Sequence, residues 1–177
     1  SYKFFFRRPV KYFIYEYWKK KKMKSILKKD GYYFGYWHDF KYVKNLKTDL
    51  NKNLLNIELN KKKLKKFSKK INKKTIAIHI RGGDFKNLSS HNLLSTSYYE
   101  KAINFYKKLI KNPKFHIFTN DINLSKKIIL KFLNKDDFLF IKKYEFSDIE
   151  EFSLYSKYHY AIIANSTFSL MSSYLSL

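Results

Sequence analysis

The sequence predicts an α/β fold: a Rossmann-like parallel sheet with helices on both faces. Three observations predict it. Short β-branched or aromatic runs recur at 75–80, 115–118, 138–141 and 160–164. Between them lie stretches with helical spacing of apolar residues, and strands alternating with helices give a parallel sheet covered on both faces. No internal repeat and no Pro- or Ser-rich linker interrupts the pattern.

The elements follow in order. Residues 1–72 form an aromatic- and Lys-rich segment that ends in a helical stretch. In it, Gly31-Tyr32-Tyr33-Phe34-Gly35-Tyr36-Trp37-His38-Asp39 reads as a loop or short strand with aromatic walls. Residues 53–72 place Ile57, Leu64, Phe67 and Ile71 at helical intervals among lysines, which predicts an amphipathic surface helix. Residues 73–177 read as a Rossmann-like domain. Thr75-Ile76-Ala77-Ile78-His79-Ile80 is a buried strand. A loop through Gly82 and Gly83 leads to a helix over 97–111, with Tyr98, Ala102, Phe105, Tyr106 and Leu109 on one side and Asn112-Pro113 as its stop. Strand 115–118 precedes a helix over 121–133 that Asn120 or Asp121 caps. Strand 138–141 precedes a helix over 148–156 whose acidic first turn suits the helix dipole. Strand 160–164 ends in Asn165-Ser166-Thr167, the cap of a last helix.

Composition narrows the function. With 45% apolar and 20% aromatic residues the chain has the means to build a core. It has no cysteine, so disulfides and thiolate metal sites are excluded. The five histidines (His38, His79, His91, His116 and His159) lack metal-ligand spacing, and no metal site is expected. The net charge of +24 would ordinarily point to nucleic acid. Yet only three of the 38 basic residues are Arg, namely Arg7, Arg8 and Arg81, and the lysines are spread along the chain. Readers of nucleic acid favour the planar fork of Arg. The charge is therefore read as solvated lysine on polar faces; no nucleic-acid partner is expected, and a weak attraction to anionic membrane surfaces is allowed. No signal-peptide pattern opens the chain, and the expected location is cytoplasmic, extending to the inner face of a bacterial membrane.

In parallel sheets, ligands bind beyond the carboxyl ends of the strands. Two segments sit there. The first is His79-Ile80-Arg81-Gly82-Gly83-Asp84. Arg81 can clamp a diphosphate through two parallel hydrogen bonds. Gly82 and Gly83 let backbone N–H groups approach a phosphate closely, and Asp84 can hold the guanidinium. The same spacing fits a tight turn with an Arg–Asp surface pair. The second is Asn165-Ser166-Thr167-Phe168, a helix start that favours anions and that also reads as an ordinary N-cap. Asp148, Glu150 and Glu151 can receive the N–H edge of a guanine or simply complement the helix dipole.

Taken together and in order, these segments resemble the α-1,2-fucosyltransferase family. The family's H-x-R-R-G-D-[YF] appears as His79-Ile80-Arg81-Gly82-Gly83-Asp84-Phe85, and its [YF]-x-I-F-[ST]-x-D as Phe115-His116-Ile117-Phe118-Thr119-Asn120-Asp121. Its I-I-A-N-S-T-F-S is unaltered from Ile162 to Ser169, Leu154-Tyr155-Ser156 matches its L-x-S, and Gly35-Tyr36-Trp37 is similar to its G-Y-[WF]-Q. The resemblance implies a two-lobed fold of GT-B type, with residues 73–177 as the C-terminal, donor-binding domain and residues 1–72 as the remainder of the N-terminal lobe and a connecting helix. It implies inverting transfer of fucose from GDP-fucose to a galactose hydroxyl of a glycan, in α-1,2 linkage and without an essential metal. By motif position, Arg81 would clamp the diphosphate, His79 would lie near the guanosine, Ser166 and Thr167 would bond the phosphate nearer the sugar, and Glu151 would read guanine. The base that takes the acceptor's proton has two candidates, Asp84 and His91.

The chain departs from the pattern at three places. Gly82 stands where the family has its second Arg. Leu170-Met171 and Ser172-Ser173 replace an aromatic pair and a Gly-Ala. The family's G-G-[LM]-G-N-Q segment is absent, and the chain is expected to be truncated at both ends. A homologue that binds GDP without turnover, and a polybasic domain for nucleic acid or anionic lipid, stand as the alternatives.

Overall fold

The computed structural model describes residues 13–15, 32–34, 61–83 and 93–176. Gly35, Tyr36, Trp37, Asp84, His91 and the proposed helical stretch before residue 61 lie outside the described residues. The chain divides into two compact units, residues 1–45 and 46–177. In the first, β1 (Phe13–Tyr15) pairs in parallel with β2 (Tyr32–Phe34).

The second unit holds α1 (Lys61–Ser68), β3 (Thr75–Ile80), α2 (Thr96–Leu109), β4 (Lys114–Thr119), α3 (Ile122–Ile129), β5 (Phe138–Phe140), α4 (Asp148–Tyr155), β6 (Tyr160–Ile162) and α5 (Thr167–Ser176). Its four strands run parallel in the order β5-β4-β3-β6. The expected Rossmann-like α/β architecture is what this sheet and its helices form.

Side-chain alternation along the strands builds one core on each face. Ile76, Ile78 and Ile80 of β3 join Phe115 and Ile117 of β4 against Tyr99 and Ile103 of α2 and Ile128 and Ile129 of α3. Each fully buried Ile of this kind is worth about 1.5–3 kcal/mol. The other face packs Ala77 and Phe118 against Leu64 and Phe67 of α1, Leu154 and Tyr155 of α4, and Phe168 of α5. Both faces are therefore covered, which is why the strands read as unbroken apolar runs.

Several boundaries differ from the sequence reading. The buried stripe of α2 is Tyr99 and Ile103, whereas Phe105 and Leu109 are 60% and 57% exposed. The helix is rolled so that the Tyr99 hydroxyl reaches the carbonyl of His79, at 3.3 Å. Helix α3 ends at Ile129, and Leu133 stays buried through the tight turns that follow. The third strand stops at Phe140, where the 3-10 turn Ile141–Tyr144 begins, and β6 stops at Ile162. Apolar runs mark burial, and burial here outlasts strand pairing.

The strand order places a site. From β3 the chain moves to β4 and β5 in one direction, with α2 and α3 on one face. It then returns across both strands to β6 on the far side of β3, with α4 on the other face. Connections leaving β3 and β6 thus depart to opposite faces, which opens a crevice at their carboxyl ends. Among the described residues no helix is long and apolar enough to cross a membrane.

Candidate active site

β3 and β6 are paired neighbours, with Ile78 opposite Ile162. The segment after β3 and the segment after β6 therefore start side by side. Their side chains meet: the rings of His79 and Phe168 lie 5.0 Å apart, tilted by 44°. Sequence distance had kept these segments apart, and the sheet brings them together.

His79 faces the α4–α5 side of the sheet, against Tyr155 at 6.4 Å. It is 4% exposed, and its Nδ1 is buried without a hydrogen-bond partner. Burial, and next the charge of Arg81, lower its pKa from 6.5 to about 4, so the ring is neutral near pH 7. A neutral ring with one nitrogen unmet can bond to an uncharged polar group brought in beside it. Arg81 follows directly, half-buried at the strand end.

The glycines come next. Gly82 is buried and its N–H donates to Asn120 Oδ1 at 2.9 Å. The Gly83 N–H donates to Asp121 Oδ2 at 3.3 Å, and Gly83 sits in the left-handed region at φ 54°. The sequence reading offered these N–H groups to a phosphate; the structure gives both of them side-chain partners on the turn between β4 and α3. Asp84 and His91, the candidate bases, lie outside the described residues.

Beyond β6 the chain turns on Ser169. This fully buried hydroxyl accepts the Ala164 N–H at 3.1 Å and lies 3.3 Å from the Ala164 carbonyl. The Leu170 N–H bonds to the Ser166 carbonyl and opens α5. Asn165 and Thr167 are exposed and Ser166 half-buried, around the first-turn N–H groups that a helix leaves for an anion. Ser172 Oγ donates to the Phe168 carbonyl at 2.6 Å, which fixes the residue that touches His79.

Helix α4 supplies the acidic wall. Ser147 and Glu150 cap it reciprocally, so Glu150 is occupied with the helix end. Glu151 is buried, and desolvation pushes its carboxyl up from 4.5 to about 7, with Lys142 opposing and Asp148 adding to the rise. Its neighbour Phe152 meets Phe168 edge-on at 5.7 Å, which ties this helix to the turn after β6.

Two tyrosines of α2 were not read as site residues, because their helix was read as packing alone. Tyr98 Oη donates to the Ile163 carbonyl at 2.7 Å, and Tyr99 Oη to that of His79. Side by side on α2, they hold the carboxyl ends of the neighbouring strands β3 and β6.

A Rossmann-like crevice with Arg81 on one lip and Asn165-Ser166-Thr167 on the other suits a nucleotide carrying phosphates. In comparison with known proteins, residues 4–177 match the family described as Glycosyl transferase family 11. The chain belongs to glycosyl transferase family 11. Within this family setting, a protein from Escherichia coli named alpha-1,2-colitosyltransferase is 30% identical over 166 residues, which are 88% of this chain and 54% of that protein. The chain thus spans about half the length of that relative. No solved structure matches it. Membership of a glycosyl transferase family implies, for the family, a sugar-nucleotide donor and a glycan acceptor.

Proposed function

We propose that this family 11 protein transfers fucose from GDP-fucose to a galactose hydroxyl of a glycan, forming an α-1,2 linkage with inversion. The observation that carries the reading is the contact of His79 with Phe168, because it joins the Arg81 segment and the Asn165–Thr167 segment into one site. In this reading the acceptor oxygen attacks the anomeric carbon while the bond from that carbon to the diphosphate oxygen breaks, and GDP leaves with the bonding pair. The acceptor's proton passes to a base, for which Asp84 and His91 are the candidates. Negative charge grows on the diphosphate as it departs, and fixed donors aimed there stabilise the transition state. Arg81 and the N–H groups at the start of α5, with Ser166 and Thr167, take that role without an essential metal. His79 lies against the guanosine, and Glu151 accepts from the guanine N–H edge.

The test is GDP binding by calorimetry with product analysis from GDP-fucose and a galactoside. Arg81→Ala is expected to weaken GDP binding at least about tenfold, the loss of one charge-assisted pair. Unchanged affinity would sink the clamp assignment. A second reading, favoured by the named relative, is transfer of colitose in place of fucose. Competition between the GDP-activated forms of the two sugars separates them. Turnover that survives a chelator supports the metal-free reading, and its loss overturns it. Peripheral contact with anionic membranes is part of the proposal and is read by co-sedimentation with anionic vesicles.

A further inference from the structure

We infer that Asn120 and Asp121 are positioning residues for the donor, acting through Arg81; the inference rests on the GDP-binding reading above. The two backbone groups that follow Arg81 are both held from the same turn, Gly82 N–H by Asn120 Oδ1 at 2.9 Å and Gly83 N–H by Asp121 Oδ2 at 3.3 Å. The other carboxylate oxygen of Asp121 accepts the Leu124 N–H at 2.9 Å and so caps α3. One carboxylate therefore bridges the Arg81 segment and a helix start. The turn is itself rooted in the core. The Asp121 N–H donates to Thr119 Oγ1 at 2.9 Å, and the buried Ser125 hydroxyl donates to the same oxygen at 2.7 Å.

Gly82 is what allows this closeness. A Cβ there would meet Leu124 Cδ2 at 2.7 Å and Asp121 Cβ at 2.8 Å. Where the resembling family carries a second Arg, this chain carries a segment pressed onto the β4–α3 turn. The two glycine N–H groups are committed to that turn, so they serve the placement of Arg81. A shift of about 1 Å in a clamp of this kind is enough to cost about a hundredfold in rate. Asn120 and Asp121 thus set where the guanidinium stands.

The test is a double-mutant cycle on the full chain, with GDP titrated calorimetrically and thermal unfolding recorded for each variant. Asn120→Ala is expected to weaken GDP binding about tenfold, and Asn120→Asp, which keeps the acceptor oxygen, by less than about threefold. With Arg81→Ala already in place, Asn120→Ala should change GDP affinity less than about twofold, because its effect passes through Arg81. Should Asn120→Ala fail to fold, Asn120→Ser, whose shorter side chain falls short of the Gly82 N–H, carries the same cycle. If Arg81→Ala weakens binding but the Asn120 change does nothing, or does equal damage with and without Arg81, the inference is overturned and the GDP site stands. If Arg81→Ala leaves GDP binding intact, the site assignment fails and the inference with it.

Discussion

The ring of Phe168 lies 5.0 Å from that of His79, so a residue of α5 closes against the end of β3. The contact brings the segment that carries Arg81 against the segment that carries Asn165, Ser166 and Thr167. Phe168 also meets Phe152 and Tyr155, at 5.7 and 5.8 Å, and so gathers β3, α4 and α5 around one ring.

Phe168→Ala is therefore expected to lower both stability and donor binding. The ring is only partly buried, so the stability loss should be about 2 kcal/mol, below the 3–5 kcal/mol of a fully buried Phe. Urea unfolding reads the first effect and GDP calorimetry the second. A stability loss with GDP affinity untouched would separate the ring from the site.

Ser169→Ala removes the buried hydroxyl that takes the Ala164 N–H. A buried donor left without its acceptor costs about 1–3 kcal/mol. The expected result is a lower urea midpoint with an unchanged slope, because the loss is local. A midpoint equal to that of the parent chain would show that the turn after β6 does not depend on this hydroxyl.

Gly82→Arg restores the motif of the resembling family and should not restore its function. The new Cβ would meet Leu124 Cδ2 at 2.7 Å and Asp121 Cβ at 2.8 Å, and the second of these atoms is close to backbone and yields little. Overpacking of this kind costs about 1–3 kcal/mol. Thermal unfolding should show a lower midpoint and calorimetry no gain in GDP affinity; tighter GDP binding at unchanged stability would contradict the crowding argument.

Stability should peak near neutral pH. Burial lowers the pKa of His79 and of His116 from 6.5 to about 4, so the unfolded chain binds more protons at these two sites between those values. Their contribution is present above pH 6.5 and is lost as pH falls toward 4. Glu151 works the other way: its pKa is raised from 4.5 to about 7, so its contribution is present below pH 4.5 and is lost as pH rises through 7. Between about pH 4.5 and 6.5 the two histidines outweigh the one carboxyl, and these groups together make stability rise by about 1.4 kcal/mol per pH unit. Urea midpoints from pH 4 to 8 check the sign. Replacing Glu151 by Gln should remove the fall above pH 6.5 and steepen the rise below it to about 2.7 kcal/mol per pH unit.

Much of the fold was legible along the chain because apolar periodicity reports burial directly. The runs at 75–80, 115–118, 138–141 and 160–164 mark the four strands of the second unit's sheet, and Asp121, one of the two caps expected there, caps α3. The roll of α2 was not legible. Phe105 and Leu109 fit the apolar spacing as well as Tyr99 and Ile103 do, and only the sheet decides which pair it covers. Likewise Gly82 and Gly83 announced a close backbone approach, but not that Asn120 and Asp121 would be the groups approached.

By itself the sequence determined the class of fold, the strand ends where a ligand would bind, and the motifs that carry the family likeness, since each depends on residues close together in the chain. The tertiary structure decided which strand ends are neighbours. The return of the chain from β5 to β6 across β4 and β3 sets the segment after β3 beside the segment after β6, a relation fixed by strand order and by the packing of α4 and α5 on one face. It also decided how Arg81 is placed, because the hydrogen bonds that hold Gly82 and Gly83 come from residues 38 positions further along the chain.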